Sequence, residues 1–160
     1  MTYTAEQAAY TAGLLDGEGS FVVTTVPTRH NSGRGRTHQL HVSIHNSSSE
    51  MLTFVRSLFP DGVDYTDDLR SKRETGLTIH RLSWTNARCI PILEAVIPYL
   101  ITKRRVAKVS LEMARRFNIH GKVNHLDDEE IILRNDLQRQ VYELNALTRS
   151  GVRSRTYVEV

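Results

Sequence analysis

Two acidic residues, Asp16 and Glu18, stand two positions apart at the end of a segment with helical features. The C-terminal end of a helix carries partial negative charge, so carboxylates there cost roughly 0.3–1 kcal/mol unless something offsets them. A divalent cation does so, because its charge turns clustered carboxylates into ligands. On spacing alone a simpler structure also fits, in which Asp16 caps the helix and Glu18 is solvated in a turn.

The segment before these acids has one side that is nearly free of side-chain bulk. Thr4 and Gln7 have the spacing of a capping box, which predicts a helix from about Ala5 to Leu15, stopped by Gly17 and Gly19. The small residues on its smooth side are Ala8, Ala9, Ala12 and Gly13. Such a side lets a second backbone approach closely, so two copies crossing on a two-fold axis would bring their acidic ends together.

Residues 12–20, with the sequence AGLLDGEGS, closely resemble the LAGLIDADG motif of homing endonucleases, and a strand-like Phe-Val-Val pattern follows them. The sequence therefore resembles a single-motif member of that family. Two residues depart from the usual pattern. Thr11 stands where the family commonly has an aliphatic residue, and Glu18 is one methylene longer than the commoner aspartate.

The resemblance implies roles for individual residues, because in this family the motif helices form the central interface and the last acid of each motif holds metal at the scissile phosphates. Glu18 is then a catalytic metal ligand, with the Gly17 carbonyl as a second oxygen donor. Asp16 is implied at the helix terminus and interface, and the other interface residues are Ala9, Ala12 and Gly13. The expected cofactors are divalent metal ions, Mg²⁺ with Mn²⁺ as a substitute, and no small-molecule cofactor is expected.

A second stretch, PYL followed by KR within residues 98–104, resembles the segment in which the family places its active-site lysine. The resemblance implies that Lys103 contacts the water and phosphate network, where a cation stabilises negative charge or orients the nucleophile. Without the motif, Lys103 would be interpreted as a solvated helix start. The family also commonly has a polar amide at the end of its second strand, near the attacking water. Asn46 is the best match, with Ser47 and Ser48 as alternatives.

The order of predicted elements is helix, two strands, helix, two strands and then further helices. This order predicts an α+β fold with an αββαββα core, a four-stranded antiparallel DNA-binding sheet and extra C-terminal helices. We expect a single domain over residues 1–160, with a core at about 5–117, a helical extension at about 118–148 and a flexible tail at 149–160. The sequence of 160 residues contains no second copy of the motif.

Polar residues alternate with apolar ones from Gln39 to His45, which predicts a half-buried strand. A sheet face of hydrogen-bonding groups suits the base edges of the DNA major groove, although solvent-facing strand residues are the alternative. Basic residues in the predicted hairpin loops are expected at phosphates. The expected DNA-binding residues are Ser20, Val22, Thr24, Val26, Thr28, Arg29, Arg34, Arg36, Gln39, His41, Ser43, His45, Arg70, Lys72, Arg73 and Arg105.

The bulk composition permits a nucleic-acid partner without requiring one, since the net charge is +3 and the pI about 9.2. Cys89 is the only cysteine, which excludes an internal disulfide and a multi-cysteine zinc site. This favours an intracellular compartment, either a prokaryotic cytoplasm or an organelle. The N-terminus lacks a basic leader, and no stretch approaches the ~20 apolar residues of a membrane span, so we expect a soluble, unprocessed protein without a membrane partner.

Because the chain carries one motif, a pair of active sites is expected to need two copies. The expected function is that of a homing endonuclease, a C2 homodimer that makes a site-specific double-strand break in a long, partly palindromic DNA by metal-dependent phosphodiester hydrolysis. One alternative is a protein of the same fold that binds without cutting, such as an intron RNA maturase or a DNA-binding regulator. Another is a small basic interaction domain with no nucleic-acid role.

Overall fold

The structure, a computed structural model, describes residues 3–27, 36–68, 78–120 and 126–149. The helices are α1 (Ala5–Glu18), α2 (Ser49–Leu58), α3 (Ile90–Val96), α4 (Arg104–His120) and α5 (Asp128–Arg149), and a short 3₁₀ helix covers Asn86–Cys89. The strands are β1 (Gly19–Pro27), β2 (Arg36–Asn46), β3 (Val63–Asp68) and β4 (Thr78–Thr85). This order confirms the predicted α+β class with its αββαββα core.

The four strands form one antiparallel sheet in the order β1-β2-β4-β3. Phe21 and Val42, which lie opposite each other in the register of β1 and β2, are buried beneath the helices. On β4 the sequence left the facing ambiguous, and the structure buries Leu82 and Trp84 on that same side. Because successive strand residues alternate between faces, the intervening residues of all these strands lie on the opposite, helix-free face.

Helix α1 runs three residues beyond its predicted end, so the prediction that Gly17 stops it was wrong. Gly19 is the C-cap, and its backbone N–H donates to the Leu15 carbonyl. An interior glycine costs a helix about 1 kcal/mol relative to alanine. Contacts of Asp16 and Lys103 with the rest of the chain, described below, offset that cost.

Helix α2 begins one residue later than the predicted capping box, because Ser48 and not Ser47 is its N-cap. The Ser48 hydroxyl accepts from the backbone N–H of Met51 at 3.4 Å. The Ser48 backbone N–H in turn donates to the Asn46 side-chain oxygen at 2.8 Å. Asn46 therefore connects the end of β2 to the start of α2.

Helix α5 packs on α4 and along the open edge of β1. Two of its side-chain amides donate to backbone carbonyls of that edge strand: Gln138 to Val23 at 3.0 Å and Asn145 to Phe21 at 2.7 Å. An uncovered strand edge invites pairing with other chains, so these two contacts protect the sheet. Within the described part of the chain, no helix has both the length and the apolar character needed to cross a membrane.

Candidate active site at the end of α1

The carboxylate of Asp16 fixes the loop that leads into α4. Its Oδ2 accepts from the backbone N–H of Ile101 at 2.7 Å, and its Oδ1 accepts from the backbone N–H of Lys103 at 2.9 Å and from the Thr102 hydroxyl at 2.9 Å. These groups lie at the N-terminal end of α4, where unsatisfied N–H groups and the helix dipole favour an anion. Asp16 thus caps α4 from a distance of 85 residues or more in sequence.

Burial acts to raise the pKa of Asp16, but the hydrogen bonds from Ile101, Lys103 and Thr102 outweigh it and lower the pKa below the usual 3.8. The stabilisation by the carboxylate is therefore fully present above that value and is lost as pH falls through the folded pKa. We expect Asp16→Asn to lower the free energy of unfolding by about 1–2 kcal/mol at pH 7. In urea unfolding, the difference in free energy of unfolding between Asp16→Asn and wild type should shrink at pH 3. An equal difference at pH 3 and pH 7 would contradict this role. Asp61→Asn, at an exposed position, is the control.

The ammonium group of Lys103 lies against the C-terminal end of α1. Its Nζ donates to the Leu15 carbonyl at 2.9 Å and to the Gly19 carbonyl at 2.7 Å, on either side of Glu18 in the chain. Half-burial lowers the pKa of Lys103, while the negative charges of Asp16 and Glu18 act to raise it. An ammonium has three N–H donors, so one remains for a group outside the chain.

Gly19 makes this arrangement possible by bringing β1 close to α1. A Cβ on Gly19 would come within 2.8 Å of the Leu15 Cα, which is closer than real Cβ atoms approach other atoms. The exposed Glu18 lies in sequence between Leu15 and Gly19, whose carbonyls Lys103 binds, and its negative charge acts on the Lys103 ammonium. A carboxylate and a cation are therefore held together where α1 meets the sheet.

Two oxygen groups at the end of α1, the Glu18 carboxylate and the Gly17 carbonyl, are suitable ligands for a magnesium ion. The Glu18 carboxylate is solvent-exposed, and the Gly17 carbonyl belongs to the last turn, where helix carbonyls have no intrahelical partner. Both are hard oxygen ligands, and Mg²⁺ is commonly bound by one or two carboxylates together with waters and substrate phosphates. The described residues contain no group of three or more His, Cys, Asp or Glu side chains that could hold a metal ion.

The helix-free face of the sheet carries the polar residues expected to contact DNA. Ser20, His41, Ser43 and His45 line a shallow depression on this face, together with Val22 of β1. Ser43 is only 6% exposed, and its hydroxyl hydrogen-bonds the Ser20 hydroxyl at 2.8 Å, so these two form the floor. Thr24, Val26 and Gln39 lie on the same face, farther from α1.

Asn46 lies on the other side of the sheet from these residues. By strand alternation it shares the helix-covered face with Ile44, and its side-chain oxygen is bound to Ser48. Its role near the attacking water stays a prediction. On the helix-free face at this end of β2, the corresponding polar residue is His45.

The predicted interface residues divide into two groups. Ala9 and Gly13 are exposed on α1, and Gly17 continues the same stripe at four-residue spacing. Ala12, in contrast, is fully buried in the core of its own chain and cannot belong to that stripe. Asp16 lies in the last turn of α1, as predicted, and its oxygens are bound to the loop before α4. Its place at the interface stays a prediction.

Several expected DNA-binding residues cannot be placed on the sheet face. Arg105 is exposed in the first turn of α4 and lines a groove between α4 and α5 with Lys108 and Leu144. The backbone of Arg36 pairs with Pro27 at the far end of the hairpin, and its side chain lies outside the described residues. Also outside them are Thr28, Arg29, Arg34, Arg70, Lys72 and Arg73.

The structure adds one charged residue to the depression that the sequence did not assign. Arg81 on β4 lines it together with Ser83 and stands opposite His45 in the sheet register. The sequence does contain a local indication of this placement: in residues 81–84, RLSW, two large apolar residues alternate with polar ones. The rest of the hairpin has no clean apolar side, so this four-residue alternation alone does not establish which face of β4 is buried.

Comparison with solved structures places this fold among homing endonucleases. I-CvuI, crystallised with its target and calcium, has a TM-score of 0.69 at 18% identity, over 88% of this chain and 82% of that one. The archaeal intron-encoded I-Vdi141I, complexed with DNA, has a TM-score of 0.65 at 21% identity, over 93% and 88%. The LAGLIDADG homing endonuclease I-GzeII, in complex with its DNA target, has a TM-score of 0.60 at 16% identity, over 92% of this chain but 46% of that one.

No protein-family model and no curated protein matches the sequence. The chain has the LAGLIDADG homing endonuclease fold. The resemblance of residues 12–20 to the family motif is thereby confirmed at the level of the fold.

Proposed function

We propose that this protein is a homing endonuclease that binds double-stranded DNA on the helix-free face of its sheet and cuts both strands as a homodimer. The observation that carries the proposal is that the exposed Glu18 carboxylate lies near enough to the Lys103 ammonium to act on it electrostatically, where α1 meets β1. A protein that only binds nucleic acid gains nothing from an acid facing phosphates, since like charges repel. Cleavage is therefore favoured over the maturase and regulator alternatives.

The homodimer is supported by the exposed surface of α1. The small residues Ala9, Gly13 and Gly17 form a stripe, and a Cβ at Gly13 or Gly17 would meet no atom of the protomer within 4 Å. Apolar side chains lie on both flanks: the Tyr10 and Phe54 rings pack edge to face, and the Ile101 side chain is 83% exposed. A smooth groove with apolar rims fits close packing of a second copy of the same helix.

The length of the neighbouring structures agrees with two copies. This chain spans 88% of I-Vdi141I but less than half of I-GzeII. Two copies of the present chain would together supply the length that the longer protein has in a single chain. Each copy would contribute one Glu18 and one Lys103 to the pair of sites.

Dimerisation makes a prediction for Gly13→Leu. The space beside Gly13 is open in the protomer, and leucine is the better helix former, so the protomer should fold with an unchanged or slightly higher melting temperature. Overpacking between two helices costs about 1–3 kcal/mol, so the dimer dissociation constant should rise by about 10- to 100-fold. Sedimentation over a dilution series measures the dimer dissociation constant. The control is Asn118→Leu, at an exposed position of α4. Undiminished self-association of Gly13→Leu would exclude α1 from the interface.

The reaction adds water across one phosphodiester bond in each strand. Glu18 and the Gly17 carbonyl would hold a divalent ion, which when bound supplies positive charge to the scissile phosphate and lowers the pKa of its water. Lys103, held by two carbonyls, directs its remaining N–H toward the phosphate, where negative charge develops. Asp16 keeps Lys103 in place by fixing its backbone.

The test of this function is selection of cleaved sites from a randomised palindromic DNA pool, with Mg²⁺ and with EDTA in parallel. We expect a long, partly palindromic sequence to be enriched among cut molecules only when Mg²⁺ is present. Retention of specific DNA without cutting in any divalent metal would favour the non-cleaving alternative. Absence of salt-sensitive DNA retention would favour an interaction domain without a nucleic-acid role.

A further inference from the structure

Arg81 lies on a central strand of the sheet, at the end nearest α1. It stands opposite His45 on β2, and the preceding residue of β2, Ile44, stands opposite Gly19, the first residue after Glu18. The hairpin loop between β1 and β2 lies at the far end of the same strands. In the proposed dimer the Glu18 ends meet at the two-fold axis, so Arg81 lies close to the centre of the bound DNA.

Among the described residues that line the depression, Arg81 is the only permanently charged one. The hydroxyls of Ser20 and Ser43 are bonded to each other on the floor. Burial lowers the pKa of His41, and the nearby Arg81 cation lowers it further, so the imidazole is neutral at pH 7. Among the described residues, the depression therefore presents one guanidinium beside the Ser20 and Ser43 hydroxyls and the His41 imidazole.

We propose that Arg81 recognises one guanine in each half of the DNA target, among the base pairs nearest the centre of the site. This inference rests on the proposed function. A guanidinium is the side-chain group that best matches the O6 and N7 acceptors of guanine in the major groove, through two parallel hydrogen bonds. That pair of donors would give the depression its preference for guanine.

The position of Arg81 favours a base over a phosphate. When a sheet lies in the major groove, its central strands face the base edges, and its outer strands and hairpin loops approach the two backbones. Arg81 is on β4, which has a strand on each side, and it is only partly exposed. A phosphate contact would instead be expected from exposed residues at the rim.

Binding selection without cutting tests the assignment. Wild type, Arg81→Ala, Arg81→Gln and Arg115→Ala are each used to select bound sequences from a randomised palindromic pool in EDTA. Arg115→Ala removes the same charge from the helical side, where Arg115 pairs with Glu94. We expect wild type and Arg115→Ala to enrich one symmetric inner guanine, and Arg81→Ala to lose that preference alone, with about 5- to 150-fold weaker binding to the preferred site.

Three results would overturn the assignment. Uniformly weaker binding of Arg81→Ala to all sequences, with the salt slope reduced by about one ion, would make Arg81 a phosphate contact. Unchanged selection would remove it from the interface. If Arg81→Ala fails to fold, then Arg81→Gln is decisive, because a side-chain amide matches adenine rather than guanine, and an unaltered guanine preference in it contradicts the inference. A wild-type chain that selects no sequence would instead refute the proposed function.

Discussion

Replacing Glu18 by glutamine is expected to lower the rate of DNA cleavage by at least about 1000-fold, to below detection in most assays. The divalent ion proposed to bind there would supply several kcal/mol of charge stabilisation at the reacting phosphate. The amide keeps the size of the side chain but removes the charge that holds the ion. Binding should stay within a few fold of wild type or become tighter, because a negative charge facing phosphates is lost. Single-turnover cleavage and binding on the same selected duplex separate the two effects.

The matched control is Glu6→Gln, at the other end of the same helix. Glu6 is an exposed acid in the first turn of α1, so it reports what loss of one negative charge from α1 does by itself. Cleavage by Glu6→Gln should remain near the wild-type rate. Unchanged cleavage by Glu18→Gln would remove Glu18 from the metal site.

Replacing Lys103 by alanine is expected to lower the cleavage rate by about 100-fold, the usual loss for one transition-state donor. The ammonium is half-buried and fixed by the Leu15 and Gly19 carbonyls, so its third donor is pre-oriented. Binding of uncut DNA should change little, because this contact strengthens only as negative charge develops on the phosphate. The single-turnover rate with saturating enzyme measures the effect.

Lys103 also holds the end of α1, so its structural contribution has to be measured separately. Urea unfolding of Lys103→Ala gives the stability change, and the cleavage assay is run well below the unfolding transition. Lys108→Ala, which replaces an exposed lysine on α4, controls for loss of one positive charge. A Lys103→Ala enzyme with the wild-type rate would mean that the lysine serves only to cap α1.

Much of the fold was predictable because its signals are local. Alternation along β2 assigned Leu40, Val42 and Ile44 to the core and the polar residues to the other face, and the structure has this arrangement. The Thr4 capping box correctly gave the start of α1. The short motif at residues 12–20 correctly indicated the fold, since its glycines and acids serve one close approach of helix and strand.

The missed features depend on contacts between distant parts of the chain. No local pattern shows that Asp16 binds the backbone of residues 101–103, so its role in holding the start of α4 was not predicted and α1 was ended too early. Ala12 has the size that a helix interface needs, but a small residue suits a buried helix face equally well, and the structure buries it. Arg81 was overlooked because the facing of β4 is set by packing of Leu82 and Trp84 rather than by alternation along the whole hairpin.

The most direct test is a dimer containing one wild-type protomer and one Glu18→Gln protomer, purified with two different tags and incubated with supercoiled plasmid carrying one selected site. With one acid for each strand, the mixed dimer is predicted to produce open-circular plasmid with a nick in a single strand, whereas the wild-type dimer produces linear DNA. Linear product at the wild-type rate from the mixed dimer would contradict the account, because a single Glu18 would then suffice for both strands.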